Sequence, residues 1–158
     1  METPVITLKQ LKINERLSDD SLCFSCVVYV NGTRAFEVWD NGQGGVVEYN
    51  PLGKNGAKLL SLVEEYARGL PPLPSEFFPE GLEMDIDLLV DSLIRSKLKE
   101  ERERKFADKI KRLCKVKTLF RLPTDEVLSY RTIEHVYDEQ VKSHLNKKYP
   151  GVFIYNEQ

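Results

Sequence analysis

Apolar and polar residues alternate with period two over the first third of the chain and with a helical period over much of the rest. Leu22, Phe24, Cys26, Val28 and Val30 fall on one face of a strand from Leu22 to Val30, because successive side chains of a strand point to opposite sides. Asn31-Gly32 follows, a dipeptide suited to the two positive-φ positions of a type I′ hairpin turn. Arg34 to Asp40 returns as the partner strand. Val5 to Ile13 and Val46 to Tyr49 complete a predicted four-stranded antiparallel meander.

Helical spacing begins at Gly56. Leu59, Leu62, Val63 and Tyr66 share one face of a helix ending at Arg68, with Gly69 as its stop. Leu70-Pro71-Pro72-Leu73-Pro74 reads as an extended connector, with Phe77 and Phe78 expected to pin it to the body. From Leu82 to Cys114 there is neither Pro nor Gly. Leu82, Ile86, Leu89 and Leu93 form a stripe that Val90, Ile94 and Leu98 widen, and Phe106, Ile110 and Leu113 resume it after a polar run. One helix over residues 82–114 would reach about 50 Å, longer than the body of a domain this size. It must project or pack on another subunit, which predicts a homodimer. Val116 to Leu122 and Ser129 to Val136 then read as a strand pair. Asp138 to Lys148 reads as a short helix capped by Asp138, and Val152 to Tyr155 as a last strand. The expected fold is α+β, one domain over residues 1–158, with antiparallel sheet packed against helices.

Composition narrows the class. With 158 residues, 41% hydrophobic and 30% charged, the chain has the material for a real core. No apolar run approaches the ~18 residues of a membrane span, and the first residues lack a signal-peptide layout. Three cysteines fit a reducing compartment better than a disulfide scaffold. A cytoplasmic protein with no membrane partner is expected. The net charge of −2 hides an asymmetry: Arg95 to Lys117 holds 11 Lys/Arg against 4 Asp/Glu.

Four constellations could carry chemistry. Asn41-Gly42-Gln43-Gly44-Gly45 could turn consecutive amides toward an anion, with Trp39 and Tyr49 as stacking surfaces. It lacks the Gly-Lys-Ser/Thr of a phosphate loop, and no helix follows it directly, so a tight strand connection with a bulge is the stronger reading. Arg121 and Arg131 are candidate anion partners for that loop. Arg102, Lys105, Lys109 and Arg112 could lie along a nucleic-acid backbone, although Glu100–Arg104 and Glu101–Lys105 are spaced as (i, i+4) ion pairs. Cys23 and Cys26 have zinc or redox spacing but would diverge in a strand. Glu83, Asp87 and Asp91 sit one turn apart and could hold a divalent cation, or simply favour a helix start. No nucleophile motif, catalytic residue, metal site or cofactor is assigned.

Tyr29-Val30-Asn31-Gly32, Asp40-Asn41-Gly42-Gln43-Gly44-Gly45, Tyr49 and Leu70-Pro71-Pro72 together resemble a group of small uncharacterised phage and prophage proteins. That group shares a strand ending in Asp/Asn-Gly, then Asn-Asp-Gly-His-Gly-Gly and a downstream Tyr. Lys117 to Leu122, Tyr130 to Ile133 and Ile154 to Glu157 are also similar to it. Here Asp40-Asn41 replaces Asn-Asp and Gln43 replaces His, so no histidine role carries over. The resemblance implies a phage origin and no established activity. The expectation is a non-enzymatic protein that binds a host protein or a small nucleotide-like ligand. Nucleic-acid association through the long helix is the alternative, and a hydrolase using Asp87 and Asp91 ranks last.

Overall fold

Strands form near where the alternation places them, although the fourth runs Glu48–Pro51 rather than Val46 to Tyr49 and the Ser129 to Val136 run narrows to Arg131–Ile133. The computed structural model describes residues 3–158 and has an α+β architecture built from two antiparallel sheets and three α-helices. Where the sequence reads as one domain, the chain divides into two compact units, Met1–Lys97 and Leu98–Gln158.

The first unit is the meander. Strands β1 (Ile6–Ile13), β2 (Phe24–Val30), β3 (Thr33–Asp40) and β4 (Glu48–Pro51) lie in the order β1-β2-β3-β4. Asn31 at φ 50 and Gly32 at φ 80 close the hairpin between Val30 and Thr33, as the Asn-Gly signal predicts. The register of β1 against β2 shifts between Lys9 and Lys12, where Gln10 takes φ 54. Phe36 and Val38 are fully buried on one sheet face, with Val28, Val30 and Ala35 among the core. Helix α1 (Gly56–Arg68) packs on β3 and buries Val63 and Ala67.

Helix α2 (Ile86–Leu113) begins four residues later than the periodicity suggests. The cause is local: Leu82 pairs its backbone with Leu73, and the Asp85 carboxylate accepts the Leu88 N–H at 2.8 Å, capping the helix there. Its 28 residues span about 42 Å, and the unit boundary falls inside it. In its first half Leu89, Val90 and Ile94 are buried, and Lys97 Nζ donates to the Leu8 carbonyl at 2.6 Å.

The second unit is a three-stranded sheet of order β6-β5-β7, formed by β5 (Thr118–Arg121), β6 (Arg131–Ile133) and β7 (Phe153–Ile154). Helix α3 (Glu139–Lys148) starts at Asp138, whose side chain accepts the Val141 N–H at 2.8 Å. Phe120, Leu145 and Ile154 form its core, with Ile133, Val141 and Tyr149 packed around them. Asn156 ties the chain end to the sheet. Its Oδ1 accepts from Leu119 N at 2.7 Å, and its Nδ2 donates to the carbonyls of Cys114 and Lys117.

Candidate functional site

The glycine loop spends its amides on itself. Gly42 N donates to Asp40 Oδ1 at 2.7 Å, Gln43 N to Asn41 Oδ1 at 3.1 Å, and Gly44 N to Ser21 Oγ at 3.1 Å. Ser21 Oγ also donates to Asp40 Oδ1 at 2.8 Å, so one nearly buried carboxylate holds two segments together. The Gly42 carbonyl accepts from the amides of Asp19, Asp20 and Ser21 at 3.0, 3.1 and 3.4 Å. Gly42 has φ +82, and a Cβ there would lie 1.9 Å from the Leu17 carbonyl oxygen. Glycine is required at position 42 by positive φ and by the close passage of the 17–23 segment. This is the geometry of a strand connection, with amides directed inward to Asp40, Asn41 and Ser21.

The two aromatics expected to flank one ligand stand on opposite faces. Val38 pairs with Tyr49 and Trp39 with Glu48 across β3 and β4, and cross-strand partners share a face. Tyr49 therefore joins the buried face, where its ring lies 6.1 Å from that of Phe36. Trp39 joins the outer face. A shift of one residue along a strand reverses the side, so Trp39 and Tyr49 cannot sandwich one group. Arg121 and Arg131 belong to the second unit. Arg131 makes a two-pronged ion pair with Asp125, at 2.7 and 2.8 Å, which holds that carboxyl down at about 2 together with the Leu122 amide. Arg121 stacks 5.3 Å above the Phe153 ring.

Beside the loop lies a cavity of about 310 Å³ lined by Ser21, Asp40, Asp87, Asp91, Arg95 and apolar side chains. Its acids are engaged. Asp87 accepts from the Tyr49 hydroxyl, whose ionisation is pushed well above the usual range by burial and by that bond. Asp91 accepts from Arg95 Nε at 2.6 Å. Among the described residues, no group of three His, Cys, Asp or Glu side chains is placed to hold a metal ion. One carboxylate is paired with a guanidinium and the other is hydrogen-bonded by a phenol that stays protonated, so neither Asp87 nor Asp91 faces the cavity without a partner.

The feature without an internal role is elsewhere. Phe77 is 88% exposed and Phe78 55%, so the aromatics expected to pin the proline connector face solvent instead. Their loop is nonetheless fixed. Leu73 and Leu82 exchange backbone hydrogen bonds at 2.9 and 2.8 Å, and Gly81 N donates to the Phe78 carbonyl at 2.9 Å. Gly81 sits at φ +84 with Leu73 O only 2.7 Å from where a Cβ would be. The result is a stapled loop presenting two phenyl rings at its tip. The sequence carries only a weak local signal: between Pro74 and Leu82, Phe77 and Phe78 are the only large apolar residues.

No family model matches this chain, and neither do any curated proteins or solved structures. Its own geometry therefore carries the functional reading.

On the second half of α2, Arg102, Lys105, Lys109 and Arg112 are all exposed. Their i, i+3, i+7, i+10 spacing puts them on one stripe. The Glu100–Arg104 and Glu101–Lys105 pairs are not among the ion pairs of the described residues; Asp91–Arg95 is the (i, i+4) pair that closes on this helix. Lys109 Nζ lies 5.1 Å above the Tyr130 ring. Cys26 is buried, its thiol pushed up to about 11 by desolvation, while Cys23 lies just outside β2 and is partly exposed. His135 and His144 line a shallow cleft of about 620 Å³ between β6 and α3, over Phe120 and Leu145. His135 Nδ1 is 2.7 Å from the Val136 carbonyl, an acceptor, so Nδ1 carries the proton. No helix among the described residues is long and apolar enough to cross a membrane.

Proposed function

We propose that this chain is a non-enzymatic interaction protein that captures a protein partner through the Phe77–Phe78 loop, in the phage or prophage setting and host cytoplasm that the resemblance implies. One observation carries it: two adjacent phenyl rings, 88% and 55% exposed, held on a loop whose backbone is already stapled. Exposed single apolar residues are ordinary, but a contiguous aromatic pair marks a contact surface. Aromatic anchors dominate interface energetics, and a pre-ordered loop loses little entropy on docking. A small-ligand role for Asn41 to Gly45 gains no support from amides that already donate to Asp40, Asn41 and Ser21.

The test is a photo-crosslinking phenylalanine derivative in place of Phe77, irradiated in host lysate. A discrete heterologous adduct is expected, competed by excess wild-type protein and not by the Phe77→Ser/Phe78→Ser variant. That variant should unfold within about 0.5 kcal/mol of wild type, as exposed positions do. Absence of an adduct, or an adduct indifferent to the competitor, would remove the proposal.

A second reading draws on the exposed cationic stripe of α2. Four phosphate contacts by Arg102, Lys105, Lys109 and Arg112 would give binding to duplex DNA a salt slope of about −3 to −4 on logarithmic axes. Fluorescence anisotropy over a salt series measures it, and undetectable or salt-insensitive binding rejects it.

A further inference from the structure

The second unit carries a groove of about 580 Å³ floored by Phe106, Ile110, Phe153 and Tyr155, with Lys111 and Lys115 on its rim. Its aromatics interlock edge to face, Phe106 with Tyr155 at 5.9 Å and Phe153 with Tyr155 at 5.0 Å. No acidic side chain lines it. The aromatic loop of the first unit has the opposite dress. Glu76 and Glu80 flank Phe77 and Phe78, and the whole stretch from Gly69 to Ile94 holds six acids and no Lys or Arg. The units differ in the same sense: the second holds 14 Lys/Arg against 10 Asp/Glu, and the first holds the remaining 9 against 15.

We propose that this groove receives the Phe77–Phe78 loop of a second copy of the chain. The inference rests on the reading of that loop as a docking element and names its occupant. Two phenyl rings enter the aromatic floor, and Glu76 and Glu80 face Lys111 and Lys115 at the rim. Like-charged approach is avoided, because the acidic unit of one copy meets the basic unit of the other. Each ring buries about 150–250 Å², against the roughly 800 Å² per partner of a stable interface. One such contact is therefore weak and concentration-dependent. It caps the aromatic tip at high concentration and releases it to a competing partner on dilution, as mass action requires.

Sedimentation tests this at loading concentrations from about 10 µM to about 1 mM, the range suited to so small a contact. Wild-type protein should show a rising weight-average mass. The loop variant Phe77→Ser/Phe78→Ser and the rim variant Lys111→Glu/Lys115→Glu should each weaken association at least tenfold. Mixed together they should regain it, because the intact loop of one meets the intact groove of the other. Association that falls with added salt supports the rim pairing. A strictly monomeric wild type, a loop variant that associates like wild type, or a mixture without rescue overturns the proposal. So does an oligonucleotide that binds the groove, is lost in the rim variant, and is not displaced by a loop peptide. The outcomes separate the two levels: a heterologous Phe77 adduct with a monomeric wild type leaves the interaction function standing and removes the second copy. A homologous adduct alone does the reverse.

Discussion

Replacing Gly42 by alanine measures how far the glycine loop is architecture. Its φ of +82 costs alanine about 1–2 kcal/mol by itself. The larger cost is displacement. A Cβ would stand 1.9 Å from Leu17 O and 2.8 Å from Cys23 Cβ, both part of the segment packed over the loop. That segment must retreat, drawing the amides of Asp19, Asp20 and Ser21 away from the Gly42 carbonyl and Gly42 N from Asp40. A buried group left unpaired costs about 1–3 kcal/mol, so the substitution should cost about 2–5 kcal/mol, toward the high end for single changes. Gly45→Ala is the control. Gly45 has no positive φ, and its nearest neighbour to a Cβ is 3.9 Å away, so it should change stability by less than about 0.5 kcal/mol. Urea unfolding followed by Trp39 fluorescence reads the effect where it occurs, since the single tryptophan lies in the same unit as the loop. If Gly42→Ala costs under about 1 kcal/mol, or Gly45→Ala costs as much, the tight-passage account fails.

The remaining predictions concern ionisation. The Asp125 carboxyl is depressed to about 2 from an ordinary 3.8, first by Arg131. A depressed acid stabilises the fold above its ordinary value and loses that contribution as pH falls through the folded one. Carbon-detected NMR should find Asp125 titrating near 2 in the wild type and moving up toward 3.8 in Arg131→Gln, with the acid limb of the second unit's unfolding moving up in step. A wild-type value at 3.8 would refute the pairing. Cys26, raised to about 11 from 9.0, should hold roughly a hundredfold fewer thiolates than an ordinary cysteine at pH 8 and resist alkylation accordingly. Peptide mass spectrometry after a timed iodoacetamide pulse decides it. Native-state labelling of Cys26 as fast as Cys23 would show that the strand does not bury it.

What was readable in the sequence is what depends on neighbours in the chain. The Asn31-Gly32 turn, the Gly56–Arg68 helix and the Asp138 cap are set by residues within a few positions of one another, and all three stand as expected. Gly69 closes α1 at φ −82 rather than in the left-handed region, its N–H donating to the Glu65 and Tyr66 carbonyls in a last turn that stays right-handed. The glycine loop is less readable because its geometry depends on distant partners. Nothing local shows that Ser21 reaches Asp40 and Gly44, or that the 17–23 segment crosses Gly42. The opposite placement of Trp39 and Tyr49 follows from a strand register that only pairing reveals. Phe77 and Phe78 stand out as a pair, but apolar character alone argues for burial. Only the Leu73–Leu82 staple shows that the loop holds its shape without them.

The break in β1 limits how other chains attach. Both outer strands of the meander are poor templates for strand addition: β1 loses register between Lys9 and Lys12, and β4 ends at Pro51, which has no N–H to offer. An extended segment seeking to lengthen this sheet finds only a few consecutive backbone groups on either side. Strand addition at these two edges is disfavoured, so an associate that docks on this sheet gains more from side-chain shape and charge than from backbone pairing.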